Sequence, residues 1–103
     1  MIKIEATRKN GKIIKLTVKG HANSAPKGED LVCSAVSAVL VGGCNALNQH
    51  NCFAIKLDSG DASINEIEHA NEHDYEVLEV MLVQFKTIEE TSKKFLQVIE
   101  KGN

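Results

Sequence analysis

Two residues whose types suit them to do chemistry together stand twelve positions apart in this chain. They are His21, in Gly20-His21-Ala22, and Cys33, in Asp30-Leu31-Val32-Cys33-Ser34-Ala35-Val36-Ser37. The thiolate form of cysteine is the nucleophile. A place in the first turn of a helix lowers a thiol's pKa through unpaired N–H groups and the helix dipole. An imidazole able to close to roughly 3 Å from the sulfur then serves as base and proton donor. N–H groups at the same helix start can hold the oxyanion of an acyl-transfer intermediate. The pattern points to a Cys-His nucleophile and hence to a hydrolase. The plain alternatives are a small core thiol at Cys33 and an ordinary loop histidine at 21.

The neighbours extend the pattern. Asp30 lies three positions before Cys33 and Ser37 four after it, so all three fall near one helical face. Asp30 can cap the helix or orient His21. Ser37 can donate a hydrogen bond near the sulfur or merely face a neighbouring strand. Cys44 reads as core and Cys52 as packed beside a hairpin. A metal reading would recruit His21, Cys33, His50 and Cys52, but it offers no close-spaced ligand pair. His69 and His73 fall in a polar stretch without a nearby third ligand. No metal or other cofactor is expected. Gly42-Gly43 sits inside a helix, so it is not a phosphate-cradling loop.

The elements that must position these residues are legible from periodicity. Ile2, Ile4 and Ala6 alternate with polar residues, as do Ile14, Leu16 and Val18, giving two half-buried strands. Between them lies Lys9-Asn10-Gly11. A two-residue Asn10-Gly11 turn alone would put the two apolar sets on opposite faces. A three-residue loop pairs Ala6 with Ile14, Ile4 with Leu16 and Ile2 with Val18, and is the expected register. Asn23, Ser24, Pro26 and Gly28 mark a loop. From Leu31 to Leu47 the chain is apolar or small on nearly every side, which predicts a helix buried against a sheet, with Gly42-Gly43 packed close to a neighbouring backbone. Phe53, Ile55 and Leu57, the Ser59-Gly60 turn, then Ala62 and Ile64 form a second hairpin that pairs Leu57 with Ala62 and Ile55 with Ile64. From about Asp74, residues Leu78, Met81, Leu82, Phe85 and Ile88 recur at a helical period. Phe95 to Ile99 fits either continued helix or a last strand. The fold class is α+β: two antiparallel β-hairpins in one sheet packed by two helices, in the order ββαββα, with a final strand left open.

Composition bounds the rest. At 103 residues the chain is expected to form one domain, 1–103. Net charge of -2 implies no bulk attraction to nucleic acid or an anionic membrane. Charge is uneven: Lys3, Arg8, Lys9, Lys12, Lys15 and Lys19 crowd the start, and Asp61, Glu66, Glu68, Glu72, Asp74, Glu76 and Glu79 crowd 61–80. These read as solvated faces, or the acidic stretch attracts a basic partner. RNA binding by the basic hairpin is disfavoured because aromatic residues are missing there. No apolar run approaches a membrane span, Met1 leads straight into a strand, and the odd cysteine number lacks a CxxC pair. Together these predict a cytoplasmic protein with reduced thiols.

The combination Gly20-His21-Ala22, Gly28, Asp30, Val32-Cys33-Ser34-Ala35-Val36 and Ser37 resembles the ribosomal-processing cysteine protease family, Prp. The likeness is dense over 20–40 and looser across the chain. It implies a Cys-His dyad, Cys33 with His21, supported by Asp30 and Ser37. It implies a protease that removes the N-terminal extension of a large-subunit ribosomal protein, the twenty-seventh of that series, as ribosome assembly requires. It further implies cleavage after a Phe, a homodimer, no membrane or direct nucleic-acid partner, and a substrate loop spanning 22–29 and flanked by Gly20. A last strand at about 95–100 is favoured, although Thr91-Ser92-Lys93-Lys94 stands where the family often has a Tyr-Pro pair. The competing function is a non-enzymatic ribosome-associated module.

Overall fold

Alternating apolar residues build most of a sheet, and two helices cover its apolar face. The structure, a computed structural model, describes residues 1–22 and 30–103. Its elements are β1 (Ile2–Lys9), β2 (Lys12–Lys19), α1 (Leu31–Ala46), a short 3-10 turn (His50–Cys52), β3 (Phe53–Asp58), β4 (Asp61–Glu66), α2 (Glu72–Thr91) and β5 (Leu96–Gly102). The five-stranded sheet has the order β3-β4-β2-β1-β5. Only β5 against β1 is a parallel pairing. The expected ββαββα order holds, and the open question at the tail resolves as a strand. The Ser92 carbonyl accepts from the amides of Phe95 (2.9 Å) and Leu96 (3.0 Å), which turns the chain out of α2.

The first hairpin departs from the expected register. Ala6 lies opposite Leu16 and Ile4 opposite Val18, a shift of two from the Ala6–Ile14 pairing. The turn is the two-residue one, with Asn10 and Gly11 both at positive φ (53° and 79°), as a type I′ turn requires. A bulge absorbs the parity conflict: Arg8 faces Ile13 while Thr7 faces Lys15, and Ile14 is the extra residue. Ile13 therefore takes the core position beside Leu16, and the strands still share one apolar face. The second hairpin pairs Ile55 with Ile64 and Leu57 with Ala62, as expected.

Ile2, Ile4, Ala6, Ile13, Leu16, Val18, Phe53, Ala62, Ile64 and Leu96 form the sheet's share of the core. From α2 come Tyr75, Leu78, Met81, Leu82 and Phe85; α1 contributes only Val36, Leu40 and Cys44. Although the α1 run is apolar or small on nearly every side, it is buried along one stripe, and Leu31 and Val41 are exposed. The helix lies on the surface of the sheet, so a single stripe suffices. The glycine pair divides likewise. A Cβ at Gly43 would come within 2.2 Å of the Met81 sulfur, whereas one at Gly42 would meet nothing within 4 Å. The close neighbour is a side chain of α2, not a backbone.

The acidic and basic stretches largely answer each other within the chain. Arg8 grips Glu79 through two hydrogen bonds (2.6 and 2.9 Å). Lys12 pairs with Glu72 (3.0 Å) and Lys19 with Asp61 (2.5 Å). Among the described residues one carboxylate, Asp74, is fully buried. Asp74 accepts from the amides of Asn48 and Gln49, both at 2.8 Å, and from His73 Nδ1 at 2.8 Å. It ties the chain leaving α1 to the start of α2. Burial alone would raise its pKa, but these partners hold it below the usual carboxylate value.

Candidate functional site

The start of α1 is fixed by a side-chain cap. Asp30 has non-helical backbone angles, and its carboxylate accepts from the Cys33 amide at 3.0 Å. Its carbonyl receives the Ser34 amide at 3.2 Å. Cys33 therefore sits in the first turn, as its spacing predicts. Its sulfur reaches the end of β2, where the Ala22 amide donates to Sγ at 3.4 Å.

Gly20 ends β2 and sets the direction of His21. It has φ +93°, and a Cβ there would lie 2.3 Å from the Met1 carbonyl oxygen. Only glycine tolerates both conditions. Its amide donates to the Gly60 carbonyl at 2.9 Å, which latches the chain to the β3–β4 turn. His21 is exposed, and its ring lies against Gly60.

Both side chains line one cavity of about 130 Å³. Its apolar wall comes from Ile2, Val18, Val36, Leu40 and Ala62, and its polar rim from Asp58, Ser59, Asp61 and Ser37. Ser37 is exposed at this rim and makes no hydrogen bond to the sulfur. The imidazole and the thiol face the same space without a hydrogen bond between them; the bond at the sulfur comes from Ala22.

The electrostatics correct one expectation. Burial pushes the Cys33 thiol above its ordinary value, the Ala22 amide opposes this, and the Asp30 carboxylate raises it further. Burial and the Asp30 carboxylate together outweigh the Ala22 amide, so the thiol stands above its ordinary value where its place in the helix alone predicts a lowered one. The expected oxyanion donors also change. The Cys33 and Ser34 amides are engaged by Asp30, and the amide aimed at the sulfur is that of Ala22. At the rim, hydrogen bonds from Lys19 and Lys56 hold Asp61 down to about 2.

His21, Cys33, Asp30, Ser37, Gly20 and Ala22 converge as the sequence suggested. Gly28 and the rest of the expected substrate loop beyond Ala22 lie outside the described residues. His50 and Cys52 do not join the site. His50 Nε2 meets the Cys44 carbonyl at 2.9 Å, beyond the far end of the 16-residue α1. Cys44 and Cys52 are buried, as expected. His69 and His73 remain at the start of α2, bonded to Tyr75 and Asp74 respectively. Asp58, Ser59, Gly60 and Asp61 were not foreseen as site residues. Their turn was legible, but its place depends on β4 pairing with β2, Lys19 opposite Asp61.

A thiol and an imidazole lining one cavity at a helix start suit a cysteine protease, and comparison with known proteins places the chain in that class. A family described as cysteine protease Prp matches residues 1–97. The ribosomal processing cysteine protease Prp of Bacillus subtilis is 36% identical over 107 residues, covering 95% of this chain and 96% of the relative. That of Staphylococcus aureus strain Mu50 is 32% identical over 95 residues, covering 87% and 90%. The crystal structure of the S. aureus Prp with a covalently linked product peptide superposes with a TM-score of 0.87 at 30% identity, over 98% of this chain and all (100%) of that one. Its complex with a substrate peptide gives 0.82. The chain belongs to the Prp family of ribosomal processing cysteine proteases.

Proposed function

We propose that this chain removes the N-terminal extension of a large-subunit ribosomal protein, the twenty-seventh of its series, with Cys33 as nucleophile and His21 as base and proton donor. The observation that carries this reading is the shared cavity: thiol and imidazole face one apolar-walled space at the start of α1. Burial and Asp30 raise the Cys33 thiol, and His21 takes its proton as attack begins. Cys33 Sγ bonds to the scissile carbonyl carbon, and the oxygen becomes an oxyanion beside the Ala22 N–H. His21 then gives the proton to the leaving amine, which frees the processed protein. Water, deprotonated by His21, hydrolyses the thioester and releases the extension. Asp30 holds the first turn in place, and Ser37 supports the rim.

The cavity suits cleavage after a Phe. An apolar cavity of about 150 Å³ takes up benzene, and this one measures about 130 Å³. The non-enzymatic alternative loses its main support, because acidic residues of 61–80 meet the chain's own Lys12, Arg8 and Lys19. The homodimer implied by the family resemblance is assigned to the outer face of the helices. There Val39, Val77, Val80 and Met81 line a groove of about 500 Å³, with Val41 and Val83 exposed nearby. V80E is expected to give a monomer by sedimentation, and an unchanged mass would remove this surface. No helix among the described residues is long and apolar enough to cross a membrane, and action in the cytoplasm on a ribosomal precursor is part of the proposal.

The test is cleavage of the precursor. C33A is expected to abolish it with the fold retained, and H21A to slow it by about 10² to 10⁴. Turnover by C33A at the wild-type rate would end the reading.

A further inference from the structure

Gly60 differs from the other glycines in what a side chain there would strike. A Cβ at Gly60 would lie 2.5 Å from Nε2 and 2.9 Å from Cε1 of His21. At Gly20 and Gly102 the obstacle is backbone, the carbonyl oxygens of Met1 (2.3 Å) and Arg8 (2.2 Å). At Gly43 it is Met81, packed in the core. At Gly60 the atoms in the way belong to the free end of an exposed side chain. The group that would yield is therefore the imidazole, not the turn.

A second contact ties the same two places together. The Gly20 amide donates to the Gly60 carbonyl at 2.9 Å, so the β3–β4 turn holds the backbone immediately before His21. Ser59, Gly60 and Asp61 border the cavity that receives both His21 and Cys33. One turn thus anchors the histidine's backbone and offers its ring a flat, side-chain-free surface.

We propose that Gly60 is a positioning residue for the reaction: the β3–β4 turn seats the His21 imidazole at the rim of the Cys33 cavity. The proposal rests on the reading of His21 and Cys33 as the reacting pair. An exposed histidine samples several rotamers, and most of them carry the ring into solvent. Proton transfer to and from Cys33 needs the ring held on the cavity side, and a displacement of about 1 Å from productive geometry can cost as much as 10²-fold. The missing Cβ at 60 reserves that space.

Gly11 supplies the matched control. Gly60 has φ +71° and Gly11 has φ +79°, both in two-residue hairpin turns, yet a Cβ at Gly11 would meet nothing within 4 Å. Asparagine tolerates the left-handed region, so G60N and G11N impose like strain and only the first reaches the ring. The experiment measures kcat and KM on the precursor peptide across pH, with the His21 ring protons followed by NMR. G60N is expected to lower kcat by about ten- to hundredfold, leave KM within about twofold, move the acid limb of the profile and shift the His21 resonances. G11N is expected to match wild type in all four. Equal behaviour of G60N and G11N would overturn the seat. Should G60N not fold, the wild-type protein decides: a nuclear Overhauser contact between the Gly60 α-protons and the His21 ring supports the seat, and its absence rejects it. H21A separates the two levels. If H21A cleaves at the wild-type rate, the reading beneath the proposal fails. If H21A is inactive while G60N behaves as G11N does, the seat alone fails.

Discussion

The amide of Ala22 donates a hydrogen bond to the sulfur of Cys33 at 3.4 Å, joining the end of β2 to the first turn of α1. This bond works against the burial and the Asp30 charge that raise the thiol. It also places an N–H beside the sulfur that would attack the scissile carbonyl carbon. Burial and Asp30 thus raise the thiol, while the Ala22 N–H favours negative charge on the sulfur.

Reactivity should follow from that balance. The rate of Cys33 alkylation by iodoacetamide is expected to keep climbing as pH passes the ordinary thiol value of about 8.5, instead of levelling off near neutrality. D30N retains a good cap but removes the charge that raises the thiol. It is therefore expected to react faster than wild type at about pH 8, whereas D30A loses about 1 kcal/mol of stability. A plateau at neutral pH in the wild-type protein would contradict a thiol raised above its ordinary value.

The two adjacent glycines of α1 should respond in opposite directions. G42A fills open space and gains helix propensity, a stabilisation of about 0.5–1 kcal/mol. G43A gains the same propensity but drives a methyl into Met81, and overpacking costs about 1–3 kcal/mol. Urea unfolding of the two variants checks this. A G43A protein as stable as G42A would show that α1 and α2 separate more readily than their contact implies.

Asp74 supplies a pH-dependent contribution. Its folded pKa is depressed, so its stabilisation is complete above the unfolded carboxylate value of about 3.9 and is lost as pH falls through the lower folded value. D74N leaves one amide donor without its acceptor and should cost about 2–3 kcal/mol at neutral pH. Unfolding free energies of wild type and D74N should converge as the pH is taken down into the acid range. A gap independent of pH would mean that the charge contributes nothing.

Local periodicity made β3 and β4 legible down to their register, because Ser59-Gly60 leaves the parity of Ile55, Leu57, Ala62 and Ile64 intact. It failed at the first hairpin because a bulge at Ile14 consumes a residue without altering the alternation pattern. The buried stripe of α1 was not legible because an apolar sequence such as Val39-Leu40-Val41 does not say which of its faces is covered. Phe95 to Ile99 satisfies two periods at once, and only the Ser92 turn separates them. That Cys33 and His21 share a cavity was legible because both lie close along the chain. The contact of Gly60 with His21 was not, since it joins residues that meet only after β4 pairs with β2. The thiol's pKa was misjudged because position on a helix is visible in sequence, whereas burial is not.

The most direct test is intact-mass analysis of the enzyme quenched during turnover of the precursor peptide, followed by peptide mapping. The account predicts a thioester on Cys33 that carries the N-terminal extension, and none in C33A. An adduct on Cys44 or Cys52, or undiminished turnover by C33A, would contradict it.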